Sequence, residues 1–142
     1  MKPAPDYVPA HGLLRGKSVL VTAAAGAGIG FAAAKRAAEE GCRALYISDV
    51  HERRLNEAVK AIQAETGLQE VYGLLCDVSQ EAQVQALIDD AEARMGGIDV
   101  LINNAGLGTS KRIVDMDDDE WNKVIGVTLT GTFRVTRAAL RV

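Results

Sequence analysis

Apolar and polar positions along the chain fall into two alternating patterns. Compact apolar runs rich in β-branched residues occur at 19–21, 44–47, 71–78 and 98–102. Runs of that length between turn residues read as strands buried on both faces. The stretches between them have helical periodicity. Residues 31–40 form an alanine-rich helix closed by Gly41 at its C-cap, and residues 52–66 place Leu55, Val59 and Ile62 on one face before Gly67. Ser79 is read as the N-cap of a third helix over 81–95, with Val84, Leu87, Ile88 and Ala91 inward and Gly96-Gly97 ending it. A loop over 107–116 leads to Asp117-Asp118-Asp119-Glu120. Asp117 and Glu120 resemble a capping box, which explains the acidic run as a helix start and not as a metal site. A last helix is expected from about Glu120 to the end. Its inward stripe is read as Trp121, Val124, Ile125, Thr128, Leu129, Thr132, Phe133, Thr136 and Leu140.

Four strands alternating with three helices predict an α/β fold, with a parallel sheet and helices on both faces. The chain has 142 residues, so one domain is expected. Apolar residues make up 48% and charged residues 25%, the balance of a globular protein. A net charge of −3 with no Lys/Arg cluster argues against a nucleic-acid partner. The longest uncharged run, 18–34, holds three glycines and is shorter than the roughly 20 apolar residues of a spanning helix, so no membrane role is expected. Residues 1–15 carry three prolines and no apolar segment of a signal peptide, and are read as a loosely packed arm in which His11 is a surface residue. Cys42 and Cys76 form no CxxC and are read as buried, reduced thiols of a cytoplasmic protein.

Candidate chemistry concentrates where the first strand meets the first helix. Thr22-Ala23-Ala24-Ala25-Gly26-Ala27-Gly28-Ile29-Gly30 joins them. A strand, a glycine-rich turn and a helix N-terminus together make an anion site, because bare N–H groups and the positive end of the helix dipole face one point. Glycine there lets a diphosphate touch the backbone. A tight turn with no ligand is the plain alternative. The second strand ends in Asp49, 19 residues after Gly30. A carboxylate so placed accepts hydrogen bonds from ribose hydroxyls and repels a 2′-phosphate. Asp49 could also serve as an N-cap for the next helix. Arg53 and Arg54 stand close to that position and are read as a solvated face.

The turn from Thr22 to Gly30, Asp77-Val78, Asn103-Asn104-Ala105-Gly106 and the helix beginning at Trp121 together resemble the short-chain dehydrogenase/reductase family from residue 13 onward. The resemblance implies a Rossmann-like doubly wound parallel sheet, with four strands in the order 3-2-1-4, truncated before the family's later strands. It implies that Thr22, Ala24, Gly26, Gly28, Ile29 and Gly30 hold a diphosphate and that Asp49 holds the ribose. Asp77 and Val78 would contact adenine, and Asn104, Ala105 and Gly106 would border the cofactor. NAD is expected over NADP, from Asp49 and from Ala27 where NADP-preferring relatives carry a basic residue. A small-molecule substrate and a homo-oligomer are the expected partners. Finer resemblance, carried by residues 51–55, 104–108 and 128–130, is to actinobacterial dehydrogenases of coenzyme A thioesters from steroid-ring degradation.

Three departures stand out. The glycine turn carries one inserted residue, with Ala23 where the family's first glycine is expected. Thr128 occupies the position of the Asn of the family's catalytic tetrad. Tyr7, Tyr46 and Tyr72 are followed at the fourth position by His11, Val50 and Cys76, so the 142 residues contain no Tyr-x-x-x-Lys. These observations point to the cofactor-binding half of an NAD-dependent oxidoreductase, inactive alone. Two other readings are a non-catalytic dinucleotide-binding or assembly module, and a Rossmann-type methyltransferase.

Overall fold

The computed structural model describes residues 6–142. Strands β1 (Ser18–Val21), β2 (Ala44–Asp49), β3 (Val71–Leu75) and β4 (Val100–Ile102) form one parallel sheet in the order β3-β2-β1-β4. Helices α1 (Ile29–Glu39), α2 (Glu52–Thr66) and α3 (Glu81–Met95) connect them. The expected α/β class and strand order are therefore realised.

Strand alternation divides the core into two layers. Val19, Val21, Leu45 and Ile47 pack with α1 and α2, through Ala34, Ala37, Leu55, Ala58 and Ile62. Leu20, Ala44 and Tyr46 face the other way, onto Val84, Leu87, Ile88, Ala91 and Met95 of α3. Each fully buried Val, Leu or Ile contributes about 1.5–3 kcal/mol of transfer free energy, so these two layers dominate the stability of the sheet. Cys42 and Cys76 are both buried and unpaired, as expected.

Helix boundaries follow the caps read from the sequence at Gly67 and Gly96, both left-handed. Ser79 does not cap α3. The cap position is Gln80, while the Ser79 N–H is taken by Asp77 Oδ1 in a local turn. Asp49 is likewise no helix cap, because His51 holds that position in α2 and its N–H is accepted by Asp49 Oδ1.

The arm is tied down more firmly than its prolines suggest. The Glu40 carboxylate, 3% exposed, accepts from His11 N–H and Leu13 N–H and pairs with Arg36. Arg36 also donates to the carbonyls of Val8 and Pro9, and Tyr7 donates to Glu39. Residues 1–5 of the expected arm lie outside the described residues.

The last helix departs most from expectation. It is broken into α4 (Asp118–Ile125), a π-helical turn over Gly126–Gly131, and α5 (Thr132–Ala139). Its fully inward residues are Gly131, Val135 and Ala138, packed toward α3. Trp121, Leu129, Phe133 and Leu140 are 49–81% exposed, and Thr128 is exposed too. A Cβ on Gly131 would lie 2.6 Å from Val78 Cγ2, so the helix approaches the sheet along small residues and its large ones turn away.

Candidate functional site

The turn after β1 leaves open space at the N-terminus of α1. Gly28 is the N-cap of α1 with no side-chain cap, and an added Cβ there meets nothing within 4 Å. Gly28 is therefore dispensable for packing and leaves room for a ligand to reach the backbone. Gly26 adopts φ +89°, where glycine alone is unstrained. Gly26, Gly28 and Ile29 are all exposed at the helix N-terminus. Gly30 is buried, packed directly against Ala23 O and Asn104 Nδ2.

Thr22 and Ala24, read from sequence as ligand contacts, turn inward. Both are 0% exposed. Thr22 Oγ1 accepts from the N–H groups of Asn104 and Ala105, each at 3.0 Å. Ala24 N–H donates to Ser48 O at 3.0 Å. These buried contacts fix the shape of the turn. Ala23, in the place of the family's glycine, adopts φ +51°.

Beside the turn lies a cavity of about 340 Å³, lined by Ala23, Asp49, Cys76, Asp77, Val78, Ala105 and Gly106 among others. Asp49 is 8% exposed, with Oδ2 accepting Ala25 N–H at 3.0 Å and Oδ1 accepting His51 N–H at 3.1 Å. Each oxygen retains acceptor capacity for a ligand hydroxyl. Val50, Leu107, Lys123 and Val127 also line the cavity and were not read from the sequence. Lys123 and Val127 are four residues apart on one helical face, a spacing that could have found them had a wall been known to lie there. Burial pushes the Cys76 thiol up to about 11, so it is a neutral wall and not a nucleophile. Thr128 stands outside this wall, its hydroxyl bonded to the Leu107 backbone.

The loop after β4 is clamped to α4. Asp117 caps that helix by accepting Glu120 N–H at 2.8 Å, as its spacing predicts. Glu120 does not reach back to complete a capping box; it holds Thr109 and Lys111 instead. The Lys111 ammonium beside it holds the Glu120 carboxyl below its ordinary range. Among the described residues no cluster of His, Cys, Asp or Glu could hold a metal, and no helix is long and apolar enough to cross a membrane.

This turn, carboxylate and cavity fit a dinucleotide: an open glycine for the diphosphate, an oriented acid for the ribose, and a mainly apolar slot for a base. Comparison with known proteins identifies the family. The model of the family described as short chain dehydrogenase matches residues 17–142. The chain is 56% identical, over 97% of its length and 52% of the relative's, to (5R,7aS)-5-hydroxy-7a-methyl-1-oxo-2,3,5,6,7,7a-hexahydro-1H-indene-carboxyl-CoA reductase of Mycobacterium tuberculosis. A crystal structure of a short chain dehydrogenase from Mycobacterium smegmatis superposes with a TM-score of 0.93 at 52% identity, covering 98% of this chain and 57% of that one. One from Burkholderia phymatum, in complex with NAD, superposes with a TM-score of 0.83 at 35% identity, covering 90% and 44%. The chain spans about half the length of the curated relatives it matches.

Proposed function

This chain belongs to the short-chain dehydrogenase family, and from that premise we propose that it is the NAD-binding half of an oxidoreductase interconverting a secondary alcohol and a ketone. One observation carries the reading. Asp49 is held by two backbone N–H groups at the rim of the cavity, beside a glycine turn left open for phosphate. Bound there, NAD supplies a hydride acceptor and NADH a hydride donor. Asp49 would hold the adenosine ribose and disfavour a 2′-phosphate, and the N–H groups at Gly28 and Ile29 would hold the diphosphate. Asp77 and Val78 would border the base, and Ala105 and Gly106 line the same cavity.

The substrate class is proposed from the mycobacterial relative, whose name describes a reductase of a ring-bearing coenzyme A thioester. A hydroxylated or ketonic ring carried as such a thioester is the substrate we would test first. The 142 residues hold no Tyr-x-x-x-Lys to move the proton, so tested alone they are expected to bind cofactor without turnover. That absence also supports the second reading, a non-catalytic dinucleotide-binding or assembly module. Family membership removes the methyltransferase. The exposed apolar face of Trp121, Leu129, Phe133 and Leu140 supports self-association.

Calorimetric titration with NAD and NADP tests the proposal. Saturable NAD binding that exceeds NADP binding and is weakened by Asp49→Ala supports it. Absence of NAD binding by a folded chain overturns it.

A further inference from the structure

Asn104, after β4, and Asp49, at the end of β2, both hydrogen-bond to one short backbone segment, residues 22–25. Asn104 Nδ2 donates to the carbonyls of both Thr22 and Ala23, at 3.1 and 2.9 Å. On the other side, Ala24 N–H donates to Ser48 O and Ala25 N–H donates to Asp49 Oδ2, both at 3.0 Å. The left-handed turn at Ala23 makes this division possible. Successive carbonyls face β4, and the next two N–H groups face β2.

The Ala23 carbonyl and the Ala24 N–H belong to one planar peptide unit, which cannot bend between them. Asn104 therefore sets the tilt of a rigid plate whose far edge sits on β2. The next N–H along the chain is the one that holds the Asp49 carboxylate. Gly30, with no Cβ, packs against both Ala23 O and Asn104 Nδ2, which leaves the plate little freedom to turn.

We propose that Asn104 is a positioning residue for Asp49, acting through the peptide units of residues 23–25, and so sets how well the site tells a free 2′-hydroxyl from a phosphorylated one. This rests on the dinucleotide reading of the cavity. Asn104 touches neither Asp49 nor, on this account, the ribose. Its amide works at a distance through hydrogen bonds and two planar peptides, joined at the Cα of Ala24, which is fully buried and pinned through its own N–H to Ser48 O.

Asn104→Asp tests it, since the side chain keeps its size but loses both donors and turns a carboxylate toward two carbonyls. Amide hydrogen exchange, with no ligand present, should show protection lost at Ala24 and Ala25 while the centre of β1 stays protected. NAD affinity should fall about tenfold relative to NADP, the size of coupling expected between hydrogen-bonded neighbours. In an Asp49→Ala background the same substitution should leave the NAD-to-NADP ratio where it is. Should Asn104→Asp not fold, Asn104→Ala carries the same measurements. Unchanged exchange at Ala25, or an equal loss of NAD and NADP that adds to the Asp49→Ala effect, overturns the proposal. If the unaltered chain binds no NAD, the cofactor reading falls, and the exchange measurement still decides whether Asn104 holds Asp49.

Discussion

The Thr128 hydroxyl bonds both polar groups of one residue, accepting from Leu107 N–H at 3.0 Å and donating to Leu107 C=O at 3.2 Å. Thr128 sits within the π-helical turn between α4 and α5, and Leu107 lines the cavity directly after Gly106. A hydroxyl is donor and acceptor at once, so Thr can join the turn to the loop as an amide could. Thr128→Val keeps the shape and removes both bonds. Both residues are exposed, so the expected cost is about 1 kcal/mol in total, a fall in melting temperature of about 2–4 °C. Amide exchange at Leu107 should rise, and Thr128→Asn should restore its protection. Unaltered exchange in Thr128→Val would show that the pair does not hold the loop.

Ala23 carries a strain that glycine would release. Its φ of +51° lies in the left-handed region, where a Cβ costs about 1–2 kcal/mol. Glycine recovers that energy and gives back about 0.5–1 kcal/mol through the greater freedom of the unfolded chain. Ala23→Gly is therefore expected to be neutral to stabilising by up to about 1.5 kcal/mol. Ala23→Val, β-branched at the same φ, should be clearly destabilising. Urea unfolding of the two variants side by side checks the difference in sign.

Stability should fall in acid through Glu40. Its carboxyl is lowered from an ordinary 4.5 to about 2, chiefly by the Leu13 N–H, then by the His11 N–H and Arg36. A carboxylate whose folded pKa is depressed adds stability above its unfolded pKa. That stability is lost as pH drops from about 4.5 toward 2. Glu40→Gln should be less stable than the unaltered chain at pH 7, with the gap narrowing as pH falls from about 4.5 toward 2. A gap of constant size across that range would mean Glu40 stays protonated, or that the arm docks without its charge.

The sheet was legible because alternating apolar runs and glycine caps are local signals. The caps at Gly67 and Gly96 and the Asp117 cap follow from them, whereas the strand order came from the family resemblance. Less legible was anything set by a neighbour distant in sequence. Thr22 and Ala24 look like ligand contacts in a motif. They turn inward because Asn104, Ala105 and Ser48, each more than 20 residues away, take their polar groups. The last helix misled for a different reason. Its large residues follow a helical period, but a period does not say which face lies inward. Small residues at Gly131 and Ala138 decide that, by letting the backbone come close to α3 and to Val78, after β3.

Gly131 also couples that helix to the cavity. A Cβ there would lie 2.6 Å from Val78 Cγ2 and 3.1 Å from Val78 Cβ, and Val78 itself lines the slot proposed for the base. Val78 is 4% exposed and β-branched, so it cannot swing aside without leaving its rotamer. Gly131→Ala must push either the helix outward or Val78 into the slot. Overpacking of this kind costs about 1–3 kcal/mol, offset by about 1 kcal/mol of helix propensity. Gly126, in the same helical run, has open space around it, so Gly126→Ala gains the propensity without the clash. The pair separates the two effects. Gly126→Ala should raise the melting temperature and leave NAD affinity unchanged. Gly131→Ala should lower the melting temperature and weaken NAD, and Val78→Ala in the Gly131→Ala background should recover part of the stability by making room. If Gly131→Ala weakens NAD no more than Gly126→Ala does, Val78 does not transmit the contact and the slot is walled independently of α5.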